Sequence, residues 1–344
     1  MKKYRYINTV WKYEFNELVG KLMLPFLSDY FEEDESDAKE DFLMELILKT
    51  SDDINEILQY GDDILIHNSR KPLFYDKGMY LDKGYIRYVY NLITKSVYKV
   101  DRLFKKISVF NADIDMLCRD GIRVLRDFVK VNIENNDRAI MFHSSTVASE
   151  DGQCIMFIGD KAMGKTTLSL KLIYEYGFSE ISRDRTYIKE INNELVVFGW
   201  PTYYNLTMKT IKHFKETRLL LPNKFEDIPN EVLSGIRTKL QLTPEEMGLV
   251  NKGKMGKLSY IVYLLRKGET FDKKEILSKN CYSPNDSYST DWHGLFINKN
   301  KILDDATYIA DKFLEFPNTV FLEIDSDINV TIEKLLNAIN GKCD

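Results

Sequence analysis

Cysteine is scarce in this chain: four among 344 residues, Cys118, Cys154, Cys281 and Cys343, with no C-x-x-C pair. That spacing excludes a disulfide scaffold, shows no zinc site, and reads as reduced thiols of a cytoplasmic protein. Proline is also rare, 8 residues against 21 Tyr and 19 Phe, which argues for an ordered globular chain rather than a linker-rich one. There is no excess of positive charge. Lys and Arg number 48, Asp and Glu 53, and the net charge of −5 offers no global basic surface to a nucleic acid. No apolar run is long enough to cross a bilayer, and the basic start Met-Lys-Lys-Tyr-Arg-Tyr leads into no signal-like apolar stretch. The expectation is a soluble, intracellular protein with no membrane and no nucleic-acid partner. Repeats and low-complexity tracts are absent too, and 344 residues predict two structural units.

What is present is concentrated in one stretch, Cys154-Ile-Met-Phe-Ile-Gly159-Asp160-Lys161-Ala162-Met163-Gly164-Lys165-Thr166-Thr167. Five apolar residues predict a buried strand, Gly159 begins a tight loop, and Leu168, Leu172 and Tyr176 mark one face of a following helix. Strand, G-x-x-x-x-G-K-T and helix form the context of a phosphate-binding loop. Glycines let several backbone N–H groups converge, the helix N-terminus adds partial positive charge, and Lys165 adds a full one. Thr166 offers a hydroxyl to the magnesium of a nucleoside triphosphate. The alternative is a glycine turn with an ordinary surface lysine.

Before the loop, Trp11 to Tyr30 reads as mostly helical and Leu43 to Leu48 as a short apolar element. The acidic stretch from Phe31 to Asp41 reads as a solvated loop or helix face. Asp63–His67, Met79–Leu81, Tyr85–Tyr90 and Ile107–Phe110 predict strands, and Asp113 to Asn132 a helix whose apolar stripe faces a core. Ile140 to Ala148 predicts a strand hairpin-linked to the one feeding the loop. Its His143 is either a satisfied histidine of an aromatic-rich strand or an imidazole placed to contact phosphate or relay a proton. Beyond the loop helix, Ser179 to Ile188 predicts one strand carrying Asp184 at its polar end. That carboxylate could hold magnesium or accept a hydroxyl proton; the alternative is a turn aspartate paired with Arg183 or Arg185.

This order of features resembles HPr kinase/phosphorylase and its relatives in the phosphoenolpyruvate carboxykinase-like branch of phosphate-loop proteins, among them lasso-peptide tailoring kinases. The likeness spans about residues 105 to 335 and is strongest from His143 to Ile188. It implies a mixed-sheet phosphate-loop core, ATP and Mg2+ as cofactors, and transfer of the γ-phosphoryl group to a serine or threonine of a peptide or small protein. It also implies that residues 159–167 cradle phosphates and metal, that His143 lies near the transferring phosphate, and that Asp184 is the second acid of a Ser-Asp-Asp motif. HPr kinase itself is oligomeric, which suggests a homo-oligomer, although no interface signature is visible. The chain departs from the pattern at Arg183, which replaces the first acid, and at Ala162, where relatives usually have glycine. No residue matches the glutamate that assists magnesium in HPr kinase, so the relation is to the broader superfamily.

Two later features invite a role. Lys209, Lys212, Lys215 and Arg218 space out as a basic helix face within a largely helical stretch from Thr207 to Gln241. Asn251 to Lys257, with three lysines and two glycines, predicts a mobile basic loop beside the nucleotide, or an idle exposed one. Asp291-Trp292-His293-Gly294 reads as a turn around a packed tryptophan more readily than as an acceptor-site wall. The reading is an α/β protein: residues 1–135 form a smaller N-terminal α/β unit and 136–344 a mixed sheet around the phosphate loop. It is an ATP-dependent kinase with Asp184, His143 and Lys165 as catalytic residues and Thr166 and Asp184 on the metal. The alternatives are a small-molecule hydroxyl kinase and a non-catalytic nucleotide-dependent switch subunit, the latter favoured by Arg183.

Overall fold

The structure, a computed structural model, describes residues 2–28, 30–67, 76–236, 238–249, 254–270, 272–281 and 291–341. Contacts among them divide the chain into two units. One comprises the described residues up to Ile140 together with the described stretch ending at Ala306; the other comprises Met141–Cys281 and the residues from Thr307 on. The sequence reading had placed 291–306 with the nucleotide-binding half. No helix among the described residues is long and apolar enough to cross a membrane.

The first unit is a nine-stranded mixed sheet covered by helices. Its strands are β1 (Lys2–Tyr6), β2 (Thr9–Glu14), β3 (Glu32–Glu33), β4 (Phe42–Leu48), β5 (Asp62–His67), β6 (Asp76–Lys83), β7 (Ile86–Asn91), β8 (Val97–Asp101) and β9 (Lys106–Asn111), in the order β3-β1-β2-β4-β9-β8-β7-β6-β5. The parallel pairs are β2–β4 and β4–β9; the other neighbours run antiparallel. The helices are α1 (Glu17–Leu27), α2 (Ile54–Tyr60) and α3 (Ile114–Asn136). Asp113 starts α3 by accepting the Asp115 and Met116 N–H groups at 2.9 and 3.1 Å.

One expectation needs correction here. Trp11 lies in a strand, not in the helix read from Trp11 to Tyr30, which begins only at Glu17. Trp11 and Tyr13 are fully buried, and Trp11 packs edge-on to Phe31 at 4.9 Å and parallel to Phe42 at 5.9 Å. The large aromatic payload of that core outweighs the local helical spacing. The apolar run at 43–48 is likewise a strand, with Phe42, Met44 and Leu46 alternating inward. The acidic stretch is mostly exposed loop, as read, with only Glu32–Glu33 paired to β1; Arg5 pairs with Asp34 at 3.2 Å and Lys12 with Glu40 at 3.0 Å.

Trp292 and His293 are buried in this unit. The Trp292 indole donates to Asp127 at 2.9 Å, and the His293 ring packs edge-on to Phe128 at 5.6 Å. His293 Nδ1 accepts the Leu295 N–H at 3.0 Å, so the imidazole must be neutral at that nitrogen. Burial lowers its pKa to about 4, against the opposing charges of Asp127 and Asp291. Because the folded-state pKa lies below that of the unfolded chain, this contribution is complete above about pH 6.5 and lost as pH falls through 4. Its full size is roughly 3 kcal/mol. Urea unfolding between pH 7 and 4.5 should show a steeper loss of stability in the wild type than in His293→Asn, which keeps an acceptor but does not titrate. Parallel pH slopes would contradict this.

The second unit is built from β10 (Ala139–Ala148), β11 (Cys154–Ile158), α4 (Lys165–Tyr176), β12 (Ser179–Ser182), β13 (Arg185–Ile191), β14 (Glu194–Gly199), β15 (Tyr204–Thr207), α5 (Met208–His213), α6 (Lys215–Arg218), α7 (Asn230–Leu233), β16 (Lys239–Leu242), β17 (Met255–Leu265), α8 (Lys273–Asn280), α9 (Lys299–Leu314, from Thr307 on), β18 (Thr319–Glu323) and α10 (Ile328–Ile339). The sheet runs β11-β10-β13-β14-β17-β18, and an additional β11–β17 pairing closes five of its strands into a ring. β17 does this by changing partners. Its first three residues pair with β14, and from Leu258 it runs parallel to β11. α4 buries two faces: Leu168 and Leu172 against the sheet, and Leu170 against a second apolar cluster around Tyr204, Leu206 and Met208.

The stretch 207–241 is not largely helical. Phe214, extended at φ −97° and ψ 134°, separates α5 from α6, and β16 returns to pair with β15. The basic residues there form no helical stripe. Lys212 is engaged by the Glu226 and Ile228 carbonyls at 2.6 and 2.9 Å.

Candidate functional site

The phosphate-loop sequence falls between the end of β11 and the start of α4. Gly159 sits where space is tight: a Cβ there would lie 3.1 Å from both Cβ and the carbonyl oxygen of Leu264, closer than ordinary contact. Gly164 caps α4 in the left-handed region at φ 82°. Ala162 also sits there, at φ 69°. Left-handed residues alternating along a short loop turn successive N–H groups toward one concave side, a geometry suited to anions. Met163 anchors the loop from below, buried among Phe157, Leu168 and Leu264. Asp160, Lys161 and Ala162 are exposed, while Thr166 and Thr167 stand half-buried in the first turn of α4.

Lys165 is buried, and its ammonium donates to the carbonyls of Gly159 at 2.6 Å and Asp160 at 3.2 Å. Burial lowers its pKa to about 8, while the charges of Asp184 and Asp160 act the other way. It is therefore still mostly protonated at neutral pH.

The strand read from Ser179 to Ile188 is two strands, β12 and β13, broken by a bend at Arg183 and Asp184. The bend is held to β10, where the Ser144 N–H donates to the Asp184 carbonyl at 3.2 Å. His143 Nε2 lies 3.4 Å from Asp184 Oδ1, and the carboxylate keeps about half of its surface open. Burial pushes the Asp184 pKa up, but the His143 hydrogen bond and charge, with Arg185 and Lys165, outweigh it and hold the carboxyl at about 2. The structure thus brings Lys165, His143 and Asp184 together.

Arg183 does not join them. Its side chain is buried, paired with Glu180 at 2.7 Å, and its guanidinium stacks 4.1 Å from the centroid of the Tyr204 ring. A hydroxyl network under the site was not foreseen. Thr186 bonds Ser144 at 2.8 Å and Thr146 at 3.0 Å, and Ser169 of α4 donates to Ser145 at 2.9 Å. Its signal was there to read, as the polar run Ser144-Ser145-Thr146 inside an otherwise apolar strand.

Of the basic stretch 251–257, residues 251–253 lie outside the described ones; at its described end Lys257 pairs with Glu194. Lys257 is six residues along β17 from Tyr263, the partner of Ile158, hence roughly 20 Å from the loop's start. Instead α8 packs against β11, and Cys281 bridges to Phe142, the neighbour of His143.

Among the described residues no group of three or more His, Cys, Asp and Glu is placed to hold a metal. A magnesium that arrives with phosphate oxygens and waters needs only one or two protein ligands, and the ionised Asp184 with the Thr166 hydroxyl is a donor set of that kind.

No family model matches the chain, and no curated protein matches it. Among solved structures it is similar to the Hpr(Ser) kinase/phosphatase from Coxiella burnetii. The identity is 13%, the TM-score 0.31, and the alignment covers 59% of this chain and 90% of that one. A likeness at that level carries no inference about chemistry.

Proposed function

We propose that residues 159–167 bind a nucleoside triphosphate with magnesium and that the chain transfers the γ-phosphoryl group to a hydroxyl. What carries this reading is one arrangement: a loop with left-handed residues at Ala162 and Gly164, a buried Lys165 at its end, and the Asp184–His143 pair within electrostatic reach of that lysine. On binding, Lys165 exchanges its two carbonyl partners for phosphate oxygens, and the loop N–H groups neutralise the rest. Magnesium would be held by Thr166 and Asp184 and would screen charge on the transferring group. As the acceptor oxygen bonds to phosphorus and the bond to the leaving diphosphate breaks, the acceptor proton passes to Asp184 or His143. With a pKa near 2, Asp184 is a weak base, so positioning and charge supply most of the rate. The acceptor class, a serine or threonine of a peptide or small protein, rests on the motif resemblance.

The test is intact-mass analysis of peptides encoded beside the gene after incubation with protein, magnesium and ATP. One added phosphate with the wild type, and none with Lys165→Ala, is the expected result. Lys165→Ala should also weaken ATP binding by at least about 100-fold, since it removes a charge-assisted contact in a buried setting. Unchanged ATP affinity in that variant would remove the basis of the reading.

Ala162 supplies a second check. A residue with a Cβ in the left-handed region costs about 1 kcal/mol, and a β-branched one far more. Ala162→Gly should therefore bind ATP at least as tightly as the wild type, whereas Ala162→Val should bind at least about tenfold more weakly by calorimetry. Equal affinities for all three would mean that the conformation at 162 does not matter to the ligand.

A further inference from the structure

We infer that Arg183 is a positioning residue that ties the Asp184 carboxylate to the lobe formed by β15, β16 and their short helices. The inference rests on the kinase reading for its consequence, though not for its geometry.

Arg183 is the residue before Asp184, at the bend between β12 and β13. Its guanidinium is shared between two elements. Nε donates to Glu180 on β12 at 2.7 Å, and the plane lies over Tyr204 on β15 at 4.1 Å from the ring centroid. Tyr204 is itself the first residue of the β15–β16 pair and belongs to the apolar cluster of α5 and α7. On the other side of the bend the backbone is pinned twice. The Asp184 carbonyl accepts the Ser144 N–H at 3.2 Å, and the Arg185 carbonyl accepts the Trp200 N–H at 3.3 Å. Asp184 thus has its main chain fixed to β10 while its neighbour's side chain is held by the lobe. A shift of Tyr204 relative to β12 must move Arg183, and the residue next to it carries the carboxylate that faces His143.

This gives the departure from the resembled motif a physical meaning. Where that motif has its first acid, this chain has a buried cation held by Glu180 and Tyr204, so the site works with one carboxylate whose placement is set from the lobe. A planar fork that pairs and stacks at once is a task for arginine, not lysine.

The experiment compares Tyr204→Phe, which gives up the hydroxyl's bond to Glu180 but keeps the ring under the guanidinium, with Tyr204→Leu, which gives up that bond and the stack while keeping apolar bulk. The first readout is the imidazole NMR signal of His143, assigned with His143→Gln among the four histidines of the chain. It is expected to move in Tyr204→Leu and to stay in Tyr204→Phe. The second readout is the split between binding and turnover, with ATP affinity within about twofold of wild type and phosphoryl transfer about tenfold slower in Tyr204→Leu only. An unmoved His143 signal in Tyr204→Leu, or a parallel loss of ATP binding and folding, overturns the inference. If the signal moves but the wild type transfers no phosphate, the coupling stands and only the kinase reading falls.

Discussion

Arg183→Asp, the substitution that restores the acidic pair of the resembled motif, will destabilise the second unit by roughly 3–5 kcal/mol instead of creating a second base. Arg183 and Glu180 are both almost fully buried and 2.7 Å apart. Replacing the cation with a carboxylate leaves Glu180 without its charge partner and puts a like charge beside it. One of the two acids must then take a proton at neutral pH, since neither can shed its charge into water. The stack on Tyr204 at 4.1 Å is lost as well. By contrast, Arg183→Met combined with Glu180→Gln removes both charges and should cost less than Arg183→Asp alone, because the penalty lies in the unmatched charge. Thermal melts should show a fall of roughly 10 °C for the aspartate variant and a smaller one for the double variant. A variant as stable as the wild type, with faster phosphoryl transfer, would refute the buried-pair account and return position 183 to the active site.

The departure at Arg183 was visible in the sequence, but where its side chain goes was not. An arginine next to a candidate catalytic acid can face the ligand or the core; here Glu180 and Tyr204, the latter 21 positions later on another strand, hold it in the core. The strand, loop and helix from Cys154 to Tyr176 were legible because their signals are local: an apolar strand, glycines at two turn positions, and a helix with an apolar face. The 3.4 Å approach of His143 to Asp184 was less so, because it depends on the bend at Arg183 and Asp184 meeting β10. The errors arose where long-range packing overrides local pattern. Trp11 and Phe15 fit a helical spacing, yet Trp11 is claimed by an aromatic core that includes Phe31 and Phe42. The stretch 207–241 has helix-forming residues, but Phe214 is extended between α5 and α6 and buried in the apolar cluster that includes Tyr204. The basic turn before β17 reads either as a loop beside the nucleotide or as an idle exposed one. β17 runs parallel to β11, so its start lies at the end of the sheet away from the loop.

Asp184→Asn should separate binding from chemistry. The amide has the same shape and can keep the contact with His143 that is 3.4 Å in the wild type, so the bend and the loop should fold as before. It cannot take the acceptor proton and is a poor magnesium ligand. Phosphoryl transfer should therefore fall about 1,000-fold, within the range that a positioned acid–base group supplies. ATP affinity measured without magnesium should stay within a few-fold of wild type, because the carboxylate repels phosphate while it supports Lys165. That support sets a second, pH-dependent signature. Burial drives the Lys165 pKa down to about 8, and the Asp184 charge is the first of the influences opposing it. With that charge removed, Lys165 loses its proton at a lower pH, and a neutral amine holds phosphate poorly. The magnesium-free ATP affinity of Asp184→Asn should begin to fall at a lower pH than that of the wild type, which should hold until about pH 8. Calorimetric titrations from pH 6 to 9 decide the matter. Coincident profiles would mean that Asp184 does not act on Lys165, and the two residues could no longer be treated as one site.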